Sequence, residues 1–152
     1  MTIEIRVRFG KAFMELIGTA LLVATIQLAV ASGSALAPVA IGVVLMTVVY
    51  AGAPVSGAHY NPAVTLALCL RGSAPVHVLA VYWIFQILGA FLGAIAGGII
   101  STSYNHVAVG AGYHLSQALL AEVLYTFLLC FNVLGVATNT KADNNQYYGS
   151  EC

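Results

Sequence analysis

Residues 56–65 read Ser-Gly-Ala-His-Tyr-Asn-Pro-Ala-Val-Thr and lie between two apolar segments. Within this stretch Asn61 is a preferred helix N-cap, and Pro62 stands at the first helical position, where a missing amide hydrogen has no cost. The apolar run that follows ends at Arg71 and Gly72, a basic residue and a glycine that are typical of a helix C-terminus. The pattern therefore predicts a helix over residues 62–70, about 13 Å long at 1.5 Å per residue.

This predicted helix is too short to cross a membrane, because the hydrocarbon core of a bilayer is about 30 Å thick. A short helix with a polar cap at membrane depth is stable only where protein or a water-filled cavity satisfies the preceding loop. If the Asn61 side-chain oxygen accepts hydrogen bonds from the amides of Ala63 or Val64, its NH2 group points outward beside the positive end of the helix dipole. We interpret this group as a donor that holds a water oxygen and repels cations. The alternative is an Asn-Pro pair that only begins a turn.

The composition predicts an integral membrane protein. Hydrophobic residues make up 61% of the chain and charged residues 7%, against roughly 25% charged residues in a soluble domain. The mean hydropathy is +0.94. No Lys, Arg, Asp or Glu occurs between Gly72 and Ala121, and the formal net charge is zero. We therefore expect the lipid bilayer as a partner and exclude nucleic acid.

No catalytic or metal-binding pattern is evident. Cys69 and Cys130 lie within apolar runs and Cys152 is the last residue, which favours buried thiols over a disulfide framework. The four histidines are not spaced as metal ligands: His59, His77, His106 and His114. We therefore expect a protein that is not an enzyme and that has no metal or cofactor.

Four further apolar segments are long enough to cross a bilayer: residues 12–31, 35–55, 76–100 and 115–138. The fold class predicted from them is an all-α membrane protein with four transmembrane helices and one re-entrant half-helix. The first segment is longer than the apolar core of a secretion signal, so we interpret it as a retained helix. The short connection at 32–34 makes the first two helices antiparallel neighbours.

The basic residues predict the orientation. If the N-terminus is cytoplasmic, the positive-inside rule is satisfied because every basic residue faces the cytoplasm: Arg6, Arg8, Lys11, Arg71 and Lys141. A cytoplasmic location of all five requires the segment from Ser56 to Arg71 to enter the membrane from the cytoplasmic side and return there. A full span at this segment would move Lys141 to the opposite side of the membrane. The charge pattern thus favours a re-entrant segment independently of its length.

The stretch that begins at Glu15 matches the stretch that begins at Glu122 at the glutamate, a threonine and two leucines. Because three spans separate the two copies, they cross the membrane in opposite directions, as in an inverted-topology repeat. The interpretation is a first repeat over residues 1–110, the start of a second over 111–138 and a polar tail over 139–152.

The two glutamates are expected to be buried structural carboxylates. A charge inside a spanning helix costs about 2.5–3.5 kcal/mol on insertion scales, so each needs hydrogen-bond donors within the bundle. We favour backbone amides of an irregular re-entrant loop as those donors, and a proton or substrate relay is the alternative. Thr19 and Thr126, one turn later, are expected to be packing residues.

The segment 76–100 carries two further patterns. Gly89, Gly93 and Gly97 form a small-xxx-small row, which predicts close helix packing. The aromatic residues near its start favour an interfacial belt over a binding site: Tyr82, Trp83 and Phe85.

These motifs together resemble the major intrinsic proteins, the family of aquaporins and aquaglyceroporins. The resemblance implies a channel of six helices and two half-helices, assembled as a tetramer with one pore in each subunit. It implies that Asn61, Pro62 and Ala63 form the first of two Asn-Pro-Ala boxes, with Asn61 donating to water. It also implies that the carbonyls of Gly57, Ala58 and His59 line the pore, and that Ile41 belongs to the selectivity constriction.

The chain departs from the family pattern because it has no second Asn-Pro-Ala box and no arginine after one. We therefore expect a truncated channel domain, with an incomplete inverted repeat in an aquaporin-like helical bundle. The favoured function is a passive channel for water, with small neutral solutes left open. The alternatives are a non-conducting subunit that associates with full-length channels, and ion or proton transport through Glu15 and Glu122.

Overall fold

The computed structural model of the protein describes residues 3–105 and 108–138, with side chains from residue 8 onward. Within these residues five helices follow one another: α1 (Ile3–Ala31), α2 (Ala37–Ser56), α3 (Pro62–Leu70), α4 (Val76–Ser101) and α5 (Leu115–Ala137). The described part of the chain is all-helical and contains no β-strand. The predicted polar tail, with Lys141, lies outside the described residues, as does His106.

The predicted half-helix is confirmed as α3, which begins at Pro62 and ends at Leu70. The glycine that follows its C-cap adopts the left-handed conformation, with φ of 78° at Gly72. The largest difference from the predicted boundaries is in α1, which begins at Ile3 rather than at residue 12. Hydropathy marks the part of a helix that crosses the bilayer, whereas the helix itself continues through the basic residues before it.

In the described part of the chain four helices are long and apolar enough to span a membrane, and the spans are Arg8–Ala31, Ala37–Ser56, Val76–Ser101 and Leu115–Ala137. Large apolar side chains are exposed along all four of these helices. In a bilayer such side chains face lipid, which is as apolar as they are. The protein is therefore an integral membrane protein that crosses the bilayer several times.

The spanning helices are arranged around α1. This helix packs most extensively against α4 and also packs against α2, its antiparallel neighbour across the short connection. The half-helix α3 contacts both α4 and α5. The loop between α2 and α3 lies against α1, since two of its amides donate to Glu15, and Tyr60 is buried there.

The predicted glycine row on α4 forms the contact with α1. A Cβ atom on Gly89 would meet the backbone oxygen of Leu16, and one on Gly93 would meet that of Ala20. One turn further, a Cβ on Gly97 would stand 2.6 Å from the Cβ of Gln27. The two backbones can approach this closely only because the row has no side chains.

Replacing Gly93 by alanine is expected to destabilise the protein by about 1–3 kcal/mol, because the new methyl group meets the backbone of α1 and the two helices must separate. Gly135→Ala on α5 is the matched control, since a Cβ there has no atom within 4 Å. Both changes remove a helical glycine, so the gain in helix propensity is the same. The check is denaturant unfolding in detergent micelles followed by circular dichroism, and equal stabilities of the two variants would contradict this account of the contact.

Candidate functional site

The loop between α2 and α3 has an unusual backbone conformation. Gly57, Ala58 and Tyr60 have φ values of 87°, 51° and 48°. Two of these residues carry side chains, for which the left-handed region is unfavourable by about 1–3 kcal/mol each. Such a conformation persists only where the surrounding structure holds it, so the contacts of this loop identify what the fold is built to maintain.

The main contact is with the carboxylate of Glu15, which is completely buried on α1. One of its oxygens accepts hydrogen bonds from the Ser56 hydroxyl at 2.6 Å and the His59 amide at 3.0 Å. The other accepts from the Tyr60 amide at 2.6 Å and the Gln86 side-chain nitrogen at 2.8 Å. Four donors thus surround one buried charge. The prediction that Glu15 accepts bonds from amides of the re-entrant loop is confirmed.

These bonds determine where the loop carbonyls point. The amide of Ala58 donates to the Ser56 hydroxyl at 3.1 Å, and the next two amides donate to Glu15. The loop peptides are trans, so each N–H is directed opposite to the carbonyl of the preceding residue. The carbonyls of Ala58 and His59 therefore point away from Glu15, and the carbonyl of Gly57, in the preceding peptide unit, points away from the Ser56 hydroxyl.

Asn61 caps α3 as predicted. Its backbone is extended, and its side-chain oxygen accepts a hydrogen bond from the Ala63 amide at 2.8 Å. The NH2 group of the same amide is directed away from the helix end, where it can only donate. Because the amides of the first helical turn carry partial positive charge, this donor lies in a region that favours an oxygen atom and disfavours a cation.

Asn61 faces a cavity of about 350 Å³ that is lined by the loop, α2 and α5. Its walls are mostly apolar, with a few polar groups from the loop and from Asn132 of α5. Ala58, His59 and Tyr60 line it together with Asn61. Ile41 is half-buried and is not among the lining residues, although its neighbour Gly42 is.

A second cavity, of about 460 Å³, lies at the end of the bundle where α1 begins. Arg8 and Lys11 line it together with residues of the connection between α3 and α4. Gly57 and His59 also line it. His59 is thus common to both cavities, and the loop lies between them.

The sequence interpretation missed the residues of α4 that hold the loop. Gln86 is 1% exposed and connects Glu15 to Thr65, to whose hydroxyl it donates at 3.0 Å. The available sequence signal for Gln86 was that it is a polar residue in a segment without charges. Its partners lie far away in the sequence, so the pattern alone did not identify them.

The assignment of the α4 aromatic residues to an interfacial belt was wrong for Tyr82. This residue is buried, and its hydroxyl donates to the carbonyl of Ser56 at 2.7 Å. Trp83 is half-buried and donates to the carbonyl of Pro62 at 3.0 Å. The reason is that α3 enters the bundle beside this part of α4. The Tyr82 hydroxyl and the Trp83 indole N–H can therefore donate to carbonyls at the two ends of the loop.

Tyr60 acts as a wedge between α1 and α2, a role that the sequence did not indicate. A Cβ atom on Gly18 of α1 would meet the Tyr60 ring, and one on Gly52 of α2 would meet its hydroxyl. That hydroxyl donates to the carbonyl of Val48 at 3.0 Å. Thr19, expected only to pack, also donates to the Tyr60 carbonyl at 3.4 Å.

Glu122 corrects the expectation of two buried carboxylates. It is exposed, as are both of its neighbours on α5, and Thr126 is half-buried. No residue of this helix is buried, because α5 packs principally against the short α3. A shared motif therefore has two different environments in this chain, and only Glu15 has the donors that were predicted.

These features define a class of protein: a helical membrane protein in which a half-helix enters the bundle and opens, at an asparagine-capped tip, on a cavity. The family model of the major intrinsic proteins matches residues 6–148. The chain belongs to this family, and the resemblance drawn from the Asn61 motif is confirmed.

Individual relatives give the same result. Aquaporin Z of Brucella melitensis is 35% identical over 109 residues, which cover 63% of this chain and 47% of that protein. Aquaporin PIP2-7 of Musa acuminata is 39% identical over 108 residues, covering 67% of this chain and 38% of that protein. Aquaporin NIP1-1 of Zea mays is 38% identical over 106 residues, which cover 66% of this chain and 36% of that protein. The chain spans less than half the length of these curated relatives.

Glu15→Gln is expected to destabilise the protein. The Ser56 hydroxyl and the Gln86 amide can reverse their hydrogen bonds toward a new NH2 group, but the backbone amides of His59 and Tyr60 cannot. At least one amide then loses its acceptor, at a cost of about 1–3 kcal/mol. Unfolding by denaturant in detergent micelles measures the loss.

Glu122→Gln is the control for this prediction, because it makes the same chemical change in the same sequence motif at an exposed position. Because Glu122 is exposed and holds no loop amide, we expect no loss of stability from this change, and a gain where the carboxylate faces an apolar medium. Equal effects of the two substitutions would contradict the assignment of Glu15 as the anchor of the loop.

Proposed function

We propose that this chain forms part of a passive pathway for water through the membrane, with small neutral solutes as further substrates. The observation that carries the proposal is the polarity of the loop. Three successive carbonyls, of Gly57, Ala58 and His59, point away from the Ser56 hydroxyl and the Glu15 carboxylate, and a single NH2 donor follows at Asn61. Membership of the family and the names of the aquaporin relatives support the same function.

The mechanism follows from hydrogen-bond capacity. A water molecule that leaves bulk solvent loses hydrogen bonds, and the loop carbonyls along one wall accept new ones from it. At Asn61 the available group is a donor, so the water molecule must turn its oxygen toward the amide. The remaining walls are mostly apolar and provide few competing partners, of which Tyr50 and Asn132 are the polar residues. Cations are disfavoured at this point by the positive end of the α3 dipole. The activity that we propose is therefore transport rather than catalysis.

Ile41 is proposed as a member of the selectivity constriction at the other end of this pathway. The support is its position beside Gly42, which lines the cavity that Asn61 faces. An isoleucine there offers no hydrogen bond, which favours a less polar constriction that admits small neutral solutes. We keep Pro62 and Ala63 in the proposed site because they begin the helix that presents Asn61.

We propose a cytoplasmic N-terminus. One cavity brings Arg8 and Lys11 of α1 together with residues 73–75, which closely follow Arg71. Arg8, Lys11 and the chain next to Arg71 thus lie at one end of the bundle, which the positive-inside rule assigns to the cytoplasm.

The pathway is proposed to need further segments, because the chain spans 36–47% of the length of the relatives that it matches. In this proposal residues 1–110 are a first repeat and residues 111–138 begin a second one in inverted orientation. The remaining walls come from further protein, whether more of the same polypeptide, further copies or a full-length relative. A homotetramer is the assembly that the family resemblance implies.

Asn61→Asp is expected to abolish water permeability, because the substitution replaces the only NH2 donor of the tip with a carboxylate. Proteoliposome swelling in stopped-flow light scattering measures this, with protein-free vesicles as the baseline. Asn105→Asp makes the same amide-to-carboxylate change in the loop after α4, where the side chain bonds to the Gln27 carbonyl and does not line the cavity that Asn61 faces, and it should leave swelling intact. Unchanged swelling of the Asn61 variant would contradict the proposed role.

A second candidate function is that of a non-conducting subunit. The observation that favours it is the state of α5, which buries none of its residues and exposes Glu122 on a membrane-spanning helix. A lipid-facing carboxylate is expensive, so a protein surface that covers it would stabilise the chain.

In this second case the tagged chain should co-purify with a co-expressed full-length family member, and Glu122→Leu should weaken the association because the covering donors lose their acceptor. Glu122→Gln keeps one acceptor oxygen and serves as the control. A monodisperse assembly of this chain alone that conducts water would contradict the subunit function.

A further inference from the structure

Three hydrogen-bond contacts meet at the hydroxyl of Thr65. Together they determine which ring nitrogen of His59 carries the hydrogen. The Thr65 side chain is fully buried on the first turn of α3. Its hydroxyl oxygen has three polar neighbours: the Gln86 side-chain nitrogen at 3.0 Å, the main-chain carbonyl oxygen of Asn61 at 3.1 Å and the Nδ1 atom of His59 at 3.1 Å. A hydroxyl has one hydrogen and two lone pairs, so each contact has a defined role.

Two of the three roles are fixed by chemistry. The Gln86 nitrogen can only donate, and its orientation is held because the same NH2 group also donates to Glu15 at 2.8 Å. Turning the amide over would direct the Gln86 oxygen at the carboxylate. The Asn61 carbonyl can only accept. The single hydroxyl hydrogen of Thr65 must therefore go to Asn61 if that 3.1 Å contact is a hydrogen bond.

The remaining contact then assigns the hydrogen of His59. With its hydrogen donated to Asn61, the Thr65 oxygen can only accept from Nδ1, so Nδ1 must carry a hydrogen. In the opposite arrangement the hydroxyl would donate to Nδ1, and two oxygen atoms would face each other at 3.1 Å with no hydrogen between them. Only the first arrangement makes all three contacts favourable.

We propose that Thr65 is a positioning residue that holds neutral His59 in the tautomer with hydrogen on Nδ1, so that Nε2 presents a bare acceptor. The ring is also held edge-on to Tyr82, with centroids 5.0 Å apart. Nε2 lies near the α-carbon of Gly57, where an added Cβ would stand only 3.3 Å from it. The acceptor therefore belongs to the stretch of loop that lies between the two cavities.

The functional meaning of this assignment rests on the proposed pathway. His59 lines both cavities, and its Nε2 would extend the series of acceptors formed by the loop carbonyls. The partners that it recognises are hydrogen-bond donors, namely water and hydroxyl-bearing neutral solutes. A permeating molecule would meet an acceptor at His59 and a donor at Asn61, two residues further on.

The test measures the tautomer directly in the full chain. In protein labelled with ¹⁵N-histidine, the signals that disappear in His59→Asn belong to His59. The expected result is a protonated-type nitrogen with a one-bond N–H coupling at Nδ1 and an unprotonated-type nitrogen at Nε2. A hydrogen on Nε2 of the neutral ring in the unmodified protein would overturn the proposal, whatever the variants do.

Thr65→Val removes the acceptor of Nδ1 and should move the ratio of the two tautomers toward the Nε2 form by about two- to twelve-fold, the equivalent of one hydrogen bond. Thr65→Ser retains the hydroxyl and should retain the Nδ1 form. Thr47→Val is the matched control, because Thr47 makes the same bond to a carbonyl four residues earlier on α2, at 2.8 Å. An unchanged ratio in Thr65→Val would overturn the proposal.

Swelling measurements on the same samples separate this proposal from the proposed function. The Nδ1 tautomer without any water permeability would leave the role of Thr65 standing and contradict the channel. Permeability that depends on Asn61, together with a hydrogen on Nε2, would support the channel and overturn the role of Thr65.

Discussion

The structure of this chain depends on one buried carboxylate. Glu15 collects donors from the end of α2, from the following loop and from α4, so a single side chain joins three elements to α1. At membrane depth an unpaired backbone amide costs several kcal/mol, and an unpaired carboxylate costs more. Each would be unstable alone, and the pairing of amides with carboxylate removes both costs together. Charge-assisted hydrogen bonds of this kind are about twice as strong as neutral ones.

The direction of the loop follows from that pairing. Because its amides turn inward to Glu15 and Ser56, its carbonyls must turn outward, and the backbone accepts left-handed angles at Ala58 and Tyr60 to allow this. The Tyr60 ring also fixes the conformation, because it fills the space left by Gly18 of α1 and Gly52 of α2. The loop thus offers main-chain carbonyls to the proposed pathway, held from behind by the buried carboxylate of Glu15. The side chains of His59 and Asn61 add one acceptor and one donor to them.

The contrast between Glu15 and Glu122 shows how far a motif depends on its surroundings. Both glutamates begin the same pattern on a spanning helix, yet one is fully buried and the other is exposed. The difference lies in the neighbours. Three elements bring donors to α1, whereas α5 packs principally against the short α3. The electrostatic cost of a carboxylate in a membrane is therefore a property of the packed structure and not of the residue.

The sequence by itself determined the membrane class, the spans to within a few residues apart from the start of α1, the half-helix from Pro62 to Leu70 and the cap at Asn61. These features depend on hydropathy, helix length and capping, which act over a few neighbouring residues. Only the tertiary structure decided the roles of Gln86, Tyr82 and Thr65 and the exposure of Glu122. The bonds that set them join residues as far apart as Glu15 and Gln86, and one hydrogen on a threonine oxygen is assigned only when all its neighbours are in place. Local patterns carry no information on such long-range contacts, because packing alone brings these groups within hydrogen-bond distance.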